Sequence, residues 1–162
     1  MTPAGARQSS NYYTNPIYHA ASVIDGDRST AGITAAGAAG EAWIKVYFSI
    51  DLEVGKVVLE KGWQPIASCV YQVFIYRGDT KSACGDTFTY SRGFFYNGYD
   101  NTTIDCGVKR GSSVVLGQSE CASYISLSEL KVYTPDYSLK GEHKHCECWM
   151  FTLMLNVGCW IM

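Results

Sequence analysis

The sequence predicts an all-β fold, an antiparallel sandwich or barrel, on three observations. Apolar residues alternate in short runs. In 42–50, AWIKVYFSI, residues Ala42, Ile44, Val46, Phe48 and Ile50 share one face, and Trp43, Lys45, Tyr47 and Ser49 share the other. That is the period-two pattern of a half-buried strand. Helical periodicity of any length is missing before residue 138, which argues against βαβ units. Composition agrees: 12 Tyr and 16 Gly in 162 residues, with 17% charged side chains, suit strands joined by tight turns.

In chain order, 42–50 and 56–60 (KVVLE) read as two strands. They are followed by 70–76 (VYQVFIY), 87–90 (TFTY), 112–116 (SSVVL) and 124–133 (YISLSELKVY). Gly55, Gly78, Gly85, Gly93, Gly98, Gly107, Gly111 and Gly117 read as turns between strands. The length suits one domain, placed at 1–138. Residues 139–162 form a distinct tail, polar and His-rich at first, then apolar over 149–162. That apolar run of 14 residues is shorter than the roughly 20 that a membrane span needs. An added hydrophobic helix, a truncated span and non-native sequence are equal readings of it.

A net charge of −2 gives no general pull toward nucleic acid or anionic membrane. Clustered Lys and Arg are missing too, so no nucleic-acid partner is expected. Seven cysteines point to an oxidising compartment and disulfides, with an odd thiol left over. Asn101-Thr102-Thr103 is a glycosylation sequon, compatible with secretion. MTPAGARQSS has no apolar core of signal-peptide length, so a mature fragment, an excised domain or a missing start is expected. The chain holds three His and no G-x-S-x-G, phosphate-binding Gly loop or H-E-x-x-H, and no enzyme is expected.

Two stretches stand out. In ASVIDGDRST (21–30), Asp25 and Asp27 flank Gly26, which permits a tight turn gathering the oxygens of residues 22–27. In YISLSELKVY, Ile125 and Leu127 share one face, while Leu130 and Val132 continue on the other phase. Strict alternation would bury Glu129 without a partner. A bulge near Ser128–Glu129 resolves this and turns oxygens out of the ladder. Such oxygens suit a hard cation such as Ca²⁺. The competing reading has Asp25 and Asp27 capping turns and Glu129 paired with Lys131 or Arg28.

The chain resembles discoidin-like domains of the coagulation-factor C type, in particular the fucolectin branch. ARQSS is similar to the family's A-x-Q-S-S opening, and SVIDGDRST to its N-A-[IV]-D-G-[ND] loop. AWIKVYF is similar to its W-[WIL]-x-V-x-[LF] strand, and ISLSELKVY to its closing strand. The motifs run in family order from residue 6 to about residue 134. The resemblance implies an eight-stranded antiparallel jelly-roll β-sandwich, galactose-binding-domain-like, with a structural Ca²⁺. The implied ligands are the carbonyls of Ser22, Asp27 and Ser128 and the carboxylates of Asp25 and Glu129. The family's hydroxyl ligand falls near Ala36, so Thr34, Thr30, Ser29 or water takes its place, with Thr34 the residue assigned. The resemblance also implies a Cys84–Cys106 disulfide, leaving Cys69 and Cys121 as the second pair.

The same resemblance implies a lectin-like module binding a glycan. The family's His/Arg/Arg fucose triad has no counterpart: Gly62 and Cys69 fall at the Arg positions, and no His lies between Ser22 and Trp63. A preference other than fucose is therefore expected, with Lys61, Trp63 and Gln64 of KGWQPIAS as ligand-binding residues. The alternative is an adhesion or membrane-surface module that binds protein or phospholipid, and an oligomer is compatible with either. Phe94, Phe95, Tyr96 and Tyr99 read as loop-packing groups rather than a binding cluster. His143, His145, Cys146 and Cys148 are zinc-type ligands spaced too tightly for a usual zinc site, so a solvated linker is expected there.

Overall fold

The computed structural model describes residues 2–12, 16–61, 69–89, 101–119 and 122–136. Seven strands occur among them: β1 (Gly5–Gln8), β2 (Gly32–Ile33), β3 (Trp43–Lys61), β4 (Val70–Arg77), β5 (Thr80–Thr89), β6 (Asn101–Gln118) and β7 (Ser126–Tyr133). All their pairings are antiparallel. The helical pieces among the described residues are two 3-10 turns, Pro16–Tyr18 and Ala20–Val23.

The runs at 42–50 and 56–60 are not separate strands. They are the two halves of β3, which is 19 residues long. Its register against β6 breaks between Tyr47 and Leu52 and again between Val54 and Lys56. Ile50, expected in the core, falls in the first break and is 70% exposed. Past the second break the buried phase changes from Leu52 and Val54 to Val57 and Leu59, as an irregular step in the ladder requires. The glycines follow the same logic. Gly78 lies in the β4–β5 turn, but Gly55, Gly85, Gly107, Gly111 and Gly117 lie within strands. Gly93 and Gly98 fall outside the described residues.

The bends let β3 and β6 serve both layers of the sandwich. The first half of β3 pairs with β1 on one side and with the end of β6 on the other, followed by β4 and β5. The second half of β3 pairs with the start of β6 and with β7, and β2 lies beyond β7. One apolar core lies between, with Ile44, Val46, Val57, Leu59, Val73, Leu116, Leu127 and Leu130 all buried. Burying each such side chain contributes about 1.5–3 kcal/mol relative to exposure. The Cys84–Cys106 disulfide joins β5 to the first half of β6, as the family resemblance implied. Cys69 is also disulfide-bonded, and its expected partner Cys121 lies outside the described residues. So do the 139–162 tail with its HKHCEC stretch and the aromatics Phe94, Phe95, Tyr96 and Tyr99. No helix among the described residues is long and apolar enough to cross a membrane.

Candidate metal centre and ligand-binding end

The closing strand carries the bulge that its broken periodicity predicts. Glu60 pairs with Glu129, but Lys61 pairs with Leu127, so Ser128 is the extra residue on β7. Both Ser128 and Glu129 are buried. Short pairing of β2 with β7, Gly32 with Leu127 and Ile33 with Ser126, brings the chain that follows the acidic turn alongside this bulge. The acidic turn and the bulged strand therefore meet. Gly26, in the left-handed region at φ +79°, lies close enough to Glu129 for its backbone N–H to draw that carboxyl down.

Within the turn the two acids do different things. Asp25 Oδ1 accepts from Asp27 N–H at 2.8 Å, an Asx-type closure. Asp25 Oδ2 lies 2.8 Å from Thr30 Oγ1. The Asp27 carboxylate turns the other way, onto Ser29 N–H at 2.8 Å and Ser29 Oγ at 2.6 Å. Those bonds hold the Asp27 carboxyl below its usual range, and its carbonyl faces Thr30 Oγ1 at 2.9 Å. The Ser22 carbonyl lies 3.5 Å from the same hydroxyl, while Ser22 Oγ donates away from the site to Ile17 O. Three acceptors thus surround one hydroxyl, whose single proton can serve one of them.

Thr34 sits elsewhere. Its Oγ1 accepts from Ile125 N–H at 2.9 Å, and its own N–H donates to Ile125 O at 3.0 Å. It ties β2 to the chain entering β7. Thr30 is the hydroxyl beside Asp25 Oδ2 and the Ser22 and Asp27 carbonyls.

Glu60 is the residue that sequence reasoning missed. It is 1% exposed and lies directly across the ladder from Glu129, which is 3% exposed. Arg28 Nε reaches Glu60 Oε2 at 2.6 Å and Arg28 Nη2 reaches Oε1 at 2.9 Å, while Lys131 Nζ pairs with Oε1. Burial pushes the Glu60 carboxyl up, but the hydrogen bonds and charges of Lys131 and Arg28 outweigh it and hold the group below its usual range. The competing sequence reading assigned these cations to Glu129; they bond to Glu60 instead. Glu129 is consequently left short. Its Oε1 is buried with no hydrogen-bond partner among the described residues. Burial, then the charges of Asp25 and Glu60, push its carboxyl up, against the Gly26 N–H and Lys131.

This donor set fits a hard divalent cation. No group of three or more His, Cys, Asp or Glu side chains placed for a metal occurs among the described residues. What converges is instead two carboxylates with backbone carbonyls and a hydroxyl, the oxygen chemistry that Ca²⁺ takes. Within it, Glu129 Oε1 is a buried acceptor that no described group satisfies. Lys61 ends β3 one residue past Glu60, and Trp63 and Gln64 follow it in sequence. Those two residues lie outside the described residues.

No family model matches the chain, and no curated protein matches it in sequence. Solved structures do match. The family 32 CBM (carbohydrate-binding module) of Clostridium perfringens NanJ, solved with galactose, aligns at TM-score 0.63 and 14% identity, over 78% of this chain and 90% of that one. An F5/8 type C domain from Bacteroides fragilis aligns at TM-score 0.63 and 13% identity, over 80% and 90%. The chain has a discoidin-like fold. A Streptococcus pneumoniae fucose binding module adds to the set, at TM-score 0.60 and 19% identity, over 80% of this chain and 93% of that one. At such identities the likeness concerns the fold, and the functional residues of this discoidin-like domain rest on its own geometry.

Proposed function

We propose that this domain is a secreted, non-catalytic carbohydrate-binding module, stabilised by Ca²⁺, with a preference other than fucose. The observation that carries the metal half is the buried, partnerless Oε1 of Glu129 beside Asp25. The carbonyls of Ser22, Asp27 and Ser128, the carboxylates of Asp25 and Glu129 and the Thr30 hydroxyl would hold the ion, Thr30 taking the role first given to Thr34. Bound Ca²⁺ supplies the positive charge that these acids lack. The chain's own groups do the rest: the Asp25 closure, the Ser29 bonds and the Gly26 contact hold the turn against β7.

The carbohydrate half is supported by the sugar-binding neighbours and by the end of β3 at Lys61, next to Glu60. Lys61, Trp63 and Gln64 are the proposed ligand residues, Trp63 offering a face for a sugar ring and Gln64 an amide for hydroxyls. A glycan array run with Ca²⁺ and with EDTA tests the whole. Sugar-specific signal lost in EDTA is the expected result. Binding only to liposomes or protein would replace the lectin reading with an adhesion or membrane-surface module. Melting tests the ion alone: a site saturated 100-fold over its Kd contributes about 2.7 kcal/mol. An unchanged Tm in EDTA would remove the metal from the proposal.

A further inference from the structure

The sheet face turned away from the core carries chemistry that the loop-end reading does not use. Residues opposite one another across five strands form two rows on that face. The first runs Arg7, Lys45, Val115, Phe74, Ala83, and the second Gly5, Tyr47, Ser113, Tyr76, Lys81. At a strand spacing of about 4.8 Å the rows extend about 19 Å across the sheet. Neither row contains an acid, although the chain as a whole is negative at −2.

The three cations are held over rings rather than by carboxylates. Arg7 lies 6.0 Å from the Tyr47 ring centre, Lys45 5.7 Å from that of Tyr76, and Lys81 3.7 Å from that of Phe74. No ion pair to Arg7, Lys45 or Lys81 occurs among the described residues, whereas Arg77 at the margin is neutralised by Asp51. A ring orients an ammonium or guanidinium group without neutralising it, so each of the three keeps its charge for an incoming anion.

We propose that this face is a second binding surface, for an acidic oligosaccharide bearing carboxylate or sulfate groups. Such a chain alternates hydroxylated rings with fixed anions, matching a strip of half-buried aromatic and hydroxyl groups studded with three separated cations. Three contacts are few for nucleic acid, which is held by many phosphates at once. Tyr47, Phe74 and Tyr76 are half-buried, unlike the fully exposed apolar groups that enter a bilayer.

The test uses the full chain and a heparin-derived tetrasaccharide, with hyaluronan and neutral dextran oligosaccharides alongside. Binding of an acidic oligosaccharide but not of dextran is expected, undiminished in EDTA and weakened by salt. The triple variant Arg7→Gln, Lys45→Gln, Lys81→Gln should lose about tenfold in affinity, and Lys45→Arg, Lys81→Arg should retain it. Retained affinity in the triple variant overturns the proposal, as does binding only to anionic vesicles or DNA. Because the readout is indifferent to EDTA and to neutral glycans, its failure is separable from failure of the loop-end site.

Discussion

Removing both cations that hold Glu60 should produce a stability loss that depends on pH in a predictable way. Glu60 and Glu129 lie opposite each other in the ladder and are 1% and 3% exposed. At a carboxylate separation of about 5–6 Å and an effective dielectric of about 20, their repulsion is about 3 kcal/mol. In Arg28→Gln, Lys131→Met nothing among the described side chains offsets it. One of the pair then takes up a proton instead of remaining charged, and that sets a ceiling. From a reference value of about 4.3, holding a Glu protonated costs about 3.7 kcal/mol at pH 7 and about 1 kcal/mol at pH 5.

The signs follow from the two proteins' carboxyls. In the wild type Glu60 is held low, so its contribution is present above the unfolded value and is lost as pH falls through the folded one. In the variant a raised carboxyl contributes below the unfolded value and loses that contribution as pH rises. Urea unfolding in EDTA at pH 5 and pH 7 measures the difference. The variant should be weaker by roughly 3–4 kcal/mol at pH 7, or about 7–15 °C in Tm, and by about 1 kcal/mol at pH 5. Each single variant should lose only about 1 kcal/mol, because the cations are 44% and 37% exposed and either one remains. Adding Glu60→Gln to the double variant should recover most of the loss at pH 7. A loss equal at both pH values, or one untouched by Glu60→Gln, would refute the paired-carboxylate account.

Three further outcomes are expected. The gain in Tm on adding Ca²⁺ should be larger at pH 7 than at pH 5, because the Glu129 carboxyl is pushed up and must be ionised to serve as a ligand; melts with and without Ca²⁺ at both pH values check this. Cys84→Ser with Cys106→Ser opens a link between residues 22 apart, and differential scanning calorimetry should show a loss of roughly 3 kcal/mol. Gly55→Ala places a Cβ 2.7 Å from the Pro135 backbone, and urea unfolding should show a destabilisation of about 1–3 kcal/mol.

What the sequence made legible was whatever leaves a local trace. The period-two runs revealed β3, β4, β7 and the ends of β5 and β6 but not β1 or β2, and the slip between Leu127 and Leu130 revealed the bulge, because a buried face cannot change phase without an extra residue. Asp25-Gly26-Asp27 was legible as a turn for the same local reason. Ile50 was misplaced because a register break depends on β6, far away in sequence, and the alternation through Ile50 carries no sign of it. Glu60 was missed on similar grounds. At the end of KVVLE a charged residue reads as surface, and only its pairing with Glu129, 69 positions later, makes it buried. Yet Glu60 decides how the centre works. By drawing the ion pairs of Arg28 and Lys131 to itself it leaves Glu129 without a salt bridge among the described residues, and in the proposed function a cation from solution would balance Asp25 and Glu129 together. The proposed metal site is therefore a property of three strand and loop segments in register, and no single motif in the chain contains it.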